Sequence, residues 1–108
     1  YRHGWYAANL KHRHPALFDS LAHVDLATGV RTVRELPEGD SAGEPVFVPR
    51  SADAPEGDGF ILTTIHRAAE DRSELAILDA QNIAREPLAT CELPRRVPVG
   101  FHGSWVPA

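Results

Sequence analysis

Four short sequence segments of this chain each recur in a similar form, in the same order and at nearly constant spacing. The first copies are GWYAA at residue 4, LAHVD at 21, RELP at 34 and GEPVFVP at 43. The second copies are GFILT at 59, LAILD at 75, CELP at 91 and GFHGSWVP at 100, which places each 54 to 57 residues after its counterpart. A repeat of this length that contains four short strands is typical of β-propeller blades. Two β-sandwich hairpins that merely look alike are the alternative.

Strand patterns dominate the rest of the sequence. Residues 21–25 and 30–36 alternate between apolar and polar types on both sides of a short turn that contains Gly29, which predicts a hairpin. No window keeps the spacing of an amphipathic helix for three turns. The sequence therefore predicts an all-β fold, with strands near residues 4–9, 20–26, 30–36, 44–49, 59–66, 74–80, 87–93 and 100–106.

We expect these strands to form part of one propeller domain. Residues 1–37 would supply the outer strands of one blade, 43–94 a complete blade and 99–108 a closing strand along the central axis. Glu44 and His102 would then occupy almost equivalent positions on neighbouring axial strands. The chain contains no methionine and opens on a strand-like run, so we expect it to be a fragment of a longer protein.

Composition excludes several classes of function. The net charge of -4 gives no reason to expect nucleic acid as a partner. No apolar run approaches the roughly 18 residues that would span a bilayer. Cys91 is the only cysteine, which rules out an internal disulfide framework and a cysteine-based zinc site and suits a reducing, cytoplasmic location. There is no Gly-rich phosphate loop and no GxSxG nucleophile motif.

Four stretches carry a resemblance to a known family: GEPVFVPR, EGDGFILTTIH, SELAILDAQN and ELPRRVPVGFHGSWV. They resemble the C-terminal part of the carotenoid cleavage oxygenases, and YRHGWYAA and LAHVDLATG look like the preceding blade. The resemblance implies a seven-bladed β-propeller capped by loops that form an apolar tunnel. It also implies an Fe(II) enzyme that uses O2 to cleave a conjugated C=C bond of a carotenoid, apocarotenoid or stilbene into two carbonyl products.

The same resemblance assigns roles to His102 and Glu44. Family members hold iron with four histidines, three of which are fixed by glutamates. The last of these histidines lies in an FHG motif, here His102, and one glutamate lies in an EPVFV motif, here Glu44. We expect His102 to bind Fe(II) as a neutral imidazole and Glu44 to accept a hydrogen bond from one of the ligating histidines, without specifying which. The other three ligands would come from the remaining blades, so the isolated chain should be inactive.

The alternative is that His102 is a structural residue. The chain would then belong to a non-catalytic propeller module that binds a partner or acts as a scaffold. The other histidines favour structural interpretations. His12 and His14 are expected in a solvated loop, His23 and His66 as structural or exposed residues, and His3 in packing.

Three further groups of residues are interpreted as structural. The aromatic side chains are expected to pack between blades rather than line a tunnel: Trp5, Tyr6, Phe47, Phe60 and Trp105. A solvated turn is expected to hold Glu70, Asp71, Arg72 and Glu74. Arg95 and Arg96 are expected in a surface loop, where peripheral contact with a membrane is the weaker interpretation.

Overall fold

The computed structural model describes residues 1–108 and contains eight strands and one short 3-10 turn, Ala68–Glu70. This confirms the predicted all-β fold. None of its elements is a helix that is long and apolar enough to cross a membrane. The strands are β1 (His3–Ala8), β2 (Ser20–Asp25), β3 (Val30–Glu35), β4 (Ser41–Ala42), β5 (Val46–Pro49), β6 (Gly59–Arg67), β7 (Arg72–Asp79) and β8 (Ala89–Glu92).

The strands form two antiparallel sheets. The first has the order β1-β2-β3, and the second has the order β4-β6-β7-β8, with β5 also paired to β6. The longest ladder joins β6 to β7, from Phe60 opposite Asp79 to Arg67 opposite Arg72. The sequence repeat explains this arrangement, because β1-β2-β3 and β6-β7-β8 are the two copies of one three-stranded meander. The exact residue ranges of the blades stay a prediction.

The predicted strand at 100–106 is not formed. Residues 93–108 contain no strand. In the first copy of the repeat, the equivalent strand β5 pairs with β6, which follows it in the chain. No strand follows residue 106 within these 108 residues, so the backbone of 100–106 has no neighbour with which to form a ladder.

The hydrophobic core lies against one face of the second sheet. Alternate residues of β6 point to this face, and Ile61 and Ile65 are almost completely buried there, together with Leu78 of β7. Leu21 and Leu36 contribute to the same cluster from the β1-β2-β3 side. This period of two is what a half-buried strand requires.

Aromatic packing and polar contacts join the two sheets. The ring of Trp5 stacks on Phe47 with a centroid distance of 4.9 Å, and its Nε1–H donates to the carbonyl of Ala80 at 3.0 Å. The Oε1 atom of Glu56 accepts the backbone N–H groups of Arg2 at 2.5 Å and of His3 at 3.1 Å. Trp5 and Phe47 therefore pack between the sheets, as predicted.

The other three aromatic residues do not pack between these two sheets. Tyr6 and Trp105 have exposed side chains, and Phe60 is only half-buried, with the Arg50 guanidinium 4.9 Å from its ring centroid. Their packing against other blades of the propeller stays a prediction.

Two histidines form a buried pair inside the first sheet. His3 and His23 have exposed fractions of 8% and 7%, and His3 Nδ1 lies 3.0 Å from His23 Nε2. Trp5 stacks on His23 at 4.9 Å between ring centroids. Burial lowers the pKa of His23 because it removes the imidazolium from water, and His3 lowers it further, while Asp25 opposes both effects. Both histidines are thus structural.

We expect this depressed pKa to make stability depend on pH. The unfolded chain takes up a proton at His23 as pH falls through about 6.5, whereas the folded chain does so only at lower pH. The free energy of unfolding should therefore fall below pH 6.5, by at most about 1.4 kcal/mol per pH unit for one proton. His23→Gln should flatten this slope in urea titrations of the full-length protein at pH 5.5 to 7.5. A slope that changes equally in His14→Gln, in the exposed loop, would contradict the assignment.

Glu74 does not lie in a solvated turn. Its exposed fraction is 5%, and its carboxylate accepts hydrogen bonds from Arg67 at 2.5 and 3.0 Å and from Arg72 at 2.8 Å. Burial alone would raise the pKa of Glu74, but the hydrogen bonds from the two guanidinium groups outweigh it and lower the pKa. Arg67 also binds Asp40 at 3.0 Å. This network was not apparent from the sequence, because Arg67 of β6 meets Glu74 of β7 and Asp40, which precedes β4, only in the folded chain.

Candidate metal-ligand site

Glu44 and His102 lie 58 residues apart in the sequence and contact each other in the structure. His102 Nδ1 is 3.1 Å from Glu44 Oε1 and 3.2 Å from Oε2. An ionised carboxylate only accepts hydrogen bonds, so Nδ1 carries the hydrogen and donates it. The sequence left open which histidine Glu44 would support, and the structure brings Glu44 to His102.

Glu44 also binds the backbone beside this histidine. The N–H of Gly103 donates to Oε2 at 3.0 Å. The pKa of Glu44 is lowered, first by the hydrogen bond from His102 and then by that from Gly103. The carboxylate is therefore ionised at neutral pH and holds both the ring and the backbone of the FHG segment. The contact with Gly103 was not predicted from the sequence, because every residue except proline has a backbone N–H and the residue type therefore does not indicate such a contact.

A β-bulge places Glu44 at this position. Ala42 pairs with Ile65 and Val46 pairs with Leu62, so three residues of the first strand face only two residues of β6. The extra residue lies in the interval that contains Glu44. Bulges bend a strand and redirect one side chain, and they are common beside functional sites. The sequence did carry a signal for it, since glycine and proline flank Glu44 and both mark bulges within strands.

The second ring nitrogen of His102 is free to act as a ligand. In the neutral ring, a hydrogen on Nδ1 leaves the lone pair on Nε2, and Nε2 has no hydrogen-bond partner within the chain. The side chain of His102 is 87% exposed and that of Glu44 is 40% exposed. A neutral imidazole whose other nitrogen is fixed by a carboxylate is the arrangement that metal-binding histidines adopt in proteins. These residues therefore fit the predicted role in holding a metal ion.

One imidazole does not make a metal centre. No group of three or more histidine, cysteine, aspartate or glutamate side chains is arranged to hold a metal ion. His12 and His14 are exposed in the loop after β1, as predicted. His66 Nε2 lies 3.0 Å from Asp71 Oδ1 near the β6–β7 turn. His102 is thus a single candidate ligand that needs partners from elsewhere.

Comparison with known proteins identifies the family. The family model described as retinal pigment epithelial membrane protein matches residues 1–107. This chain belongs to that family. Within it, the chain is 43% identical over 90 residues to apocarotenoid-15,15'-oxygenase from Synechocystis sp., which covers 83% of this chain and 18% of that enzyme. It is 55% identical over 65 residues to isoeugenol monooxygenase from Pseudomonas putida, which covers 60% of this chain and 14% of that enzyme.

A solved structure supports the same fold. Lignostilbene dioxygenase from Pseudomonas brassicacearum matches with a TM-score of 0.92 and 33% identity, over 100% of this chain and 24% of that one. The predicted fold class, all-β and part of a β-propeller, is confirmed together with the family resemblance, and the number of seven blades stays a prediction. The chain spans less than a fifth of the length of the curated relatives it matches.

Proposed function

We propose that this chain is part of a non-haem Fe(II) oxygenase that cleaves a conjugated C=C bond with O2, forming two carbonyl products. The observation that carries the proposal is the contact between Glu44 and His102, which occupies Nδ1 and leaves Nε2 free to bind a metal. The oxygenases among the relatives support the reaction class. The non-catalytic module has no observation in its favour.

The substrate we propose is a lipophilic polyene or stilbene, namely a carotenoid, an apocarotenoid or a stilbene. The Synechocystis apocarotenoid-15,15'-oxygenase and the Pseudomonas brassicacearum lignostilbene dioxygenase support these classes. The remaining blades of the same protein would supply the other ligands and most of the substrate site. A cytoplasmic location and a peripheral membrane contact near Arg95 and Arg96 stay predictions.

Each of the two residues has a defined role in this proposal. His102 would donate the Nε2 lone pair to Fe(II), and bound Fe(II) would supply the activation of O2. Glu44 fixes the tautomer by accepting the Nδ1–H and holds the ring orientation together with the Gly103 backbone. The negative charge of Glu44 would also stabilise a nearby cation whose ligands are all neutral.

Metal removal and product analysis test this proposal. The full-length protein would be stripped with a chelator without O2, then reloaded with Fe(II) or Zn(II), and supplied with a hydroxystilbene or an apocarotenal. We expect O2 uptake and two carbonyl products only with Fe(II), with one O2 consumed per bond cleaved. Cleavage by the stripped protein, or no cleavage of either substrate class by a fully iron-loaded protein, would refute the proposal.

A further inference from the structure

Thr63 is a polar residue in the buried row of β6. It lies between Ile61 and Ile65 on the core-facing side of the strand, with an exposed fraction of 2%. A buried hydroxyl is costly unless it is hydrogen-bonded. Valine would have nearly the same shape and high strand propensity without that cost. The hydroxyl at this position therefore calls for an explanation.

The hydroxyl binds the bulge that contains Glu44. Thr63 Oγ1 donates to the carbonyl of Gly43 at 3.0 Å, and the carbonyl of Thr64 lies farther away, at 3.4 Å. No backbone N–H donates to the Gly43 carbonyl, because the bulge interrupts the ladder at this point. The Thr63 hydroxyl thus replaces the missing ladder donor.

Gly43 is itself fixed in place. Its N–H donates to the Thr64 carbonyl at 2.8 Å. A Cβ atom at this position would lie 2.6 Å from Thr64 Oγ1, so a larger residue here would require the Thr64 side chain to move. With its N–H and its carbonyl both held by β6, Gly43 sets the direction in which the chain enters Glu44.

We propose that Thr63 is a positioning residue for the metal ligand, acting through Gly43 and Glu44 on His102. This inference rests on the proposed function for its effect on iron. The contacts form a continuous series: the Thr63 hydroxyl holds the Gly43 carbonyl, the bulge directs Glu44, and the Glu44 carboxylate holds the His102 ring and the Gly103 N–H. Loss of the hydroxyl would let the bulge relax and would loosen the His102 ring.

Two substitutions separate this role from simple packing. Thr63→Val removes the hydroxyl and keeps the volume, whereas Thr63→Ser keeps the hydroxyl and removes a methyl group. If Thr63 positions the bulge, the valine variant is impaired and the serine variant resembles the wild type. If Thr63 only fills space, the order is reversed. Thr90→Val, on the exposed strand β8, is the matched control.

The experiment measures iron release from the full-length protein to a chelator, and hydrogen exchange of the Gly103 amide in the metal-free protein. We expect Thr63→Val to release iron about tenfold faster than the wild type, the lower end of the range for groups that support ligands. The Gly103 amide should exchange faster in the same variant. Thr63→Ser and Thr90→Val should match the wild type in both measurements. Thr63→Ala, which also lacks the hydroxyl, replaces the valine variant if that one does not fold.

The two measurements distinguish the two proposals. A wild-type protein that binds no iron would overturn the proposed function, while the exchange of Gly103 would still decide the role of Thr63. Unchanged exchange and iron release in Thr63→Val would overturn the positioning role. Impairment of Thr63→Ser with a normal Thr63→Val would overturn it as well.

Discussion

We expect His102→Ala to abolish iron binding and cleavage activity in the full-length protein. The substitution removes the Nε2 lone pair, and no group of three or more potential ligand side chains exists in the chain to replace it. It also leaves the Glu44 carboxylate without its ring donor, close to where the cation would bind. Iron content after gel filtration should drop to about a tenth of the wild-type value or less, since outer partners alone account for 10- to 100-fold effects on affinity.

Glu44→Gln should reduce iron binding less than His102→Ala does. A glutamine keeps an acceptor oxygen but loses the negative charge, so iron affinity should fall by roughly 10- to 100-fold rather than be lost. His12→Ala, in the exposed loop, is the control and should bind iron normally. Full iron content in His102→Ala would remove the ligand assignment. Equal loss in His12→Ala would point to a general defect in loading instead.

Gly59→Ala should be the most destabilising small substitution in the second sheet. Gly59 pairs with Pro49, and a Cβ atom at Gly59 would overlap the backbone carbonyl oxygen of Val48. No side-chain rotation relieves a clash with backbone, so β5 must move away from β6. Overpacking of this kind costs about 3 kcal/mol. Because β5 continues from the bulge, iron retention should fall along with stability.

Denaturant titration and iron content of the full-length protein test this expectation. Gly29→Ala is a suitable control, since Gly29 lies in the β2–β3 turn with φ of 74° and a Cβ there would meet no atom within 4 Å. That change should cost only the strain of a left-handed alanine, about 1 kcal/mol, and should leave iron bound. A midpoint for Gly59→Ala equal to that of Gly29→Ala would contradict the expectation, because it would show that β5 moves away at no greater cost than the strain in Gly29→Ala.

The spacing of residue types was enough to predict most of the fold. The repeat and the alternation of LAHVD, VRTVREL and LAILD predicted seven of the eight observed strands in their correct order. Local patterns succeed here because a strand half-buried in a sheet needs a period of two, whatever it pairs with. The same local evidence failed for residues 100–106, because an apolar run becomes a strand only when a neighbour satisfies its backbone.

The candidate site, like the fold, could be predicted from the sequence only in part. The EPVFV and FHG motifs singled out Glu44 and His102 from the sequence, through family resemblance. Their contact, the bulge that directs Glu44 and the hydroxyl of Thr63 that holds the bulge depended on pairing between segments about 20 to 60 residues apart. The buried pair of His3 and His23 likewise became visible only when β1 lay beside β2.

The sequence by itself determined which residue types alternate, where turns fall and which motif supplies the histidine, because these are properties of neighbouring residues. Only the tertiary structure decided which nitrogen of His102 is free and what holds it. Both depend on the carboxylate of Glu44, which lies 58 residues away in the sequence and is directed to His102 by one extra residue in a strand. A contact between residues so far apart cannot be predicted from the pattern of neighbouring residues.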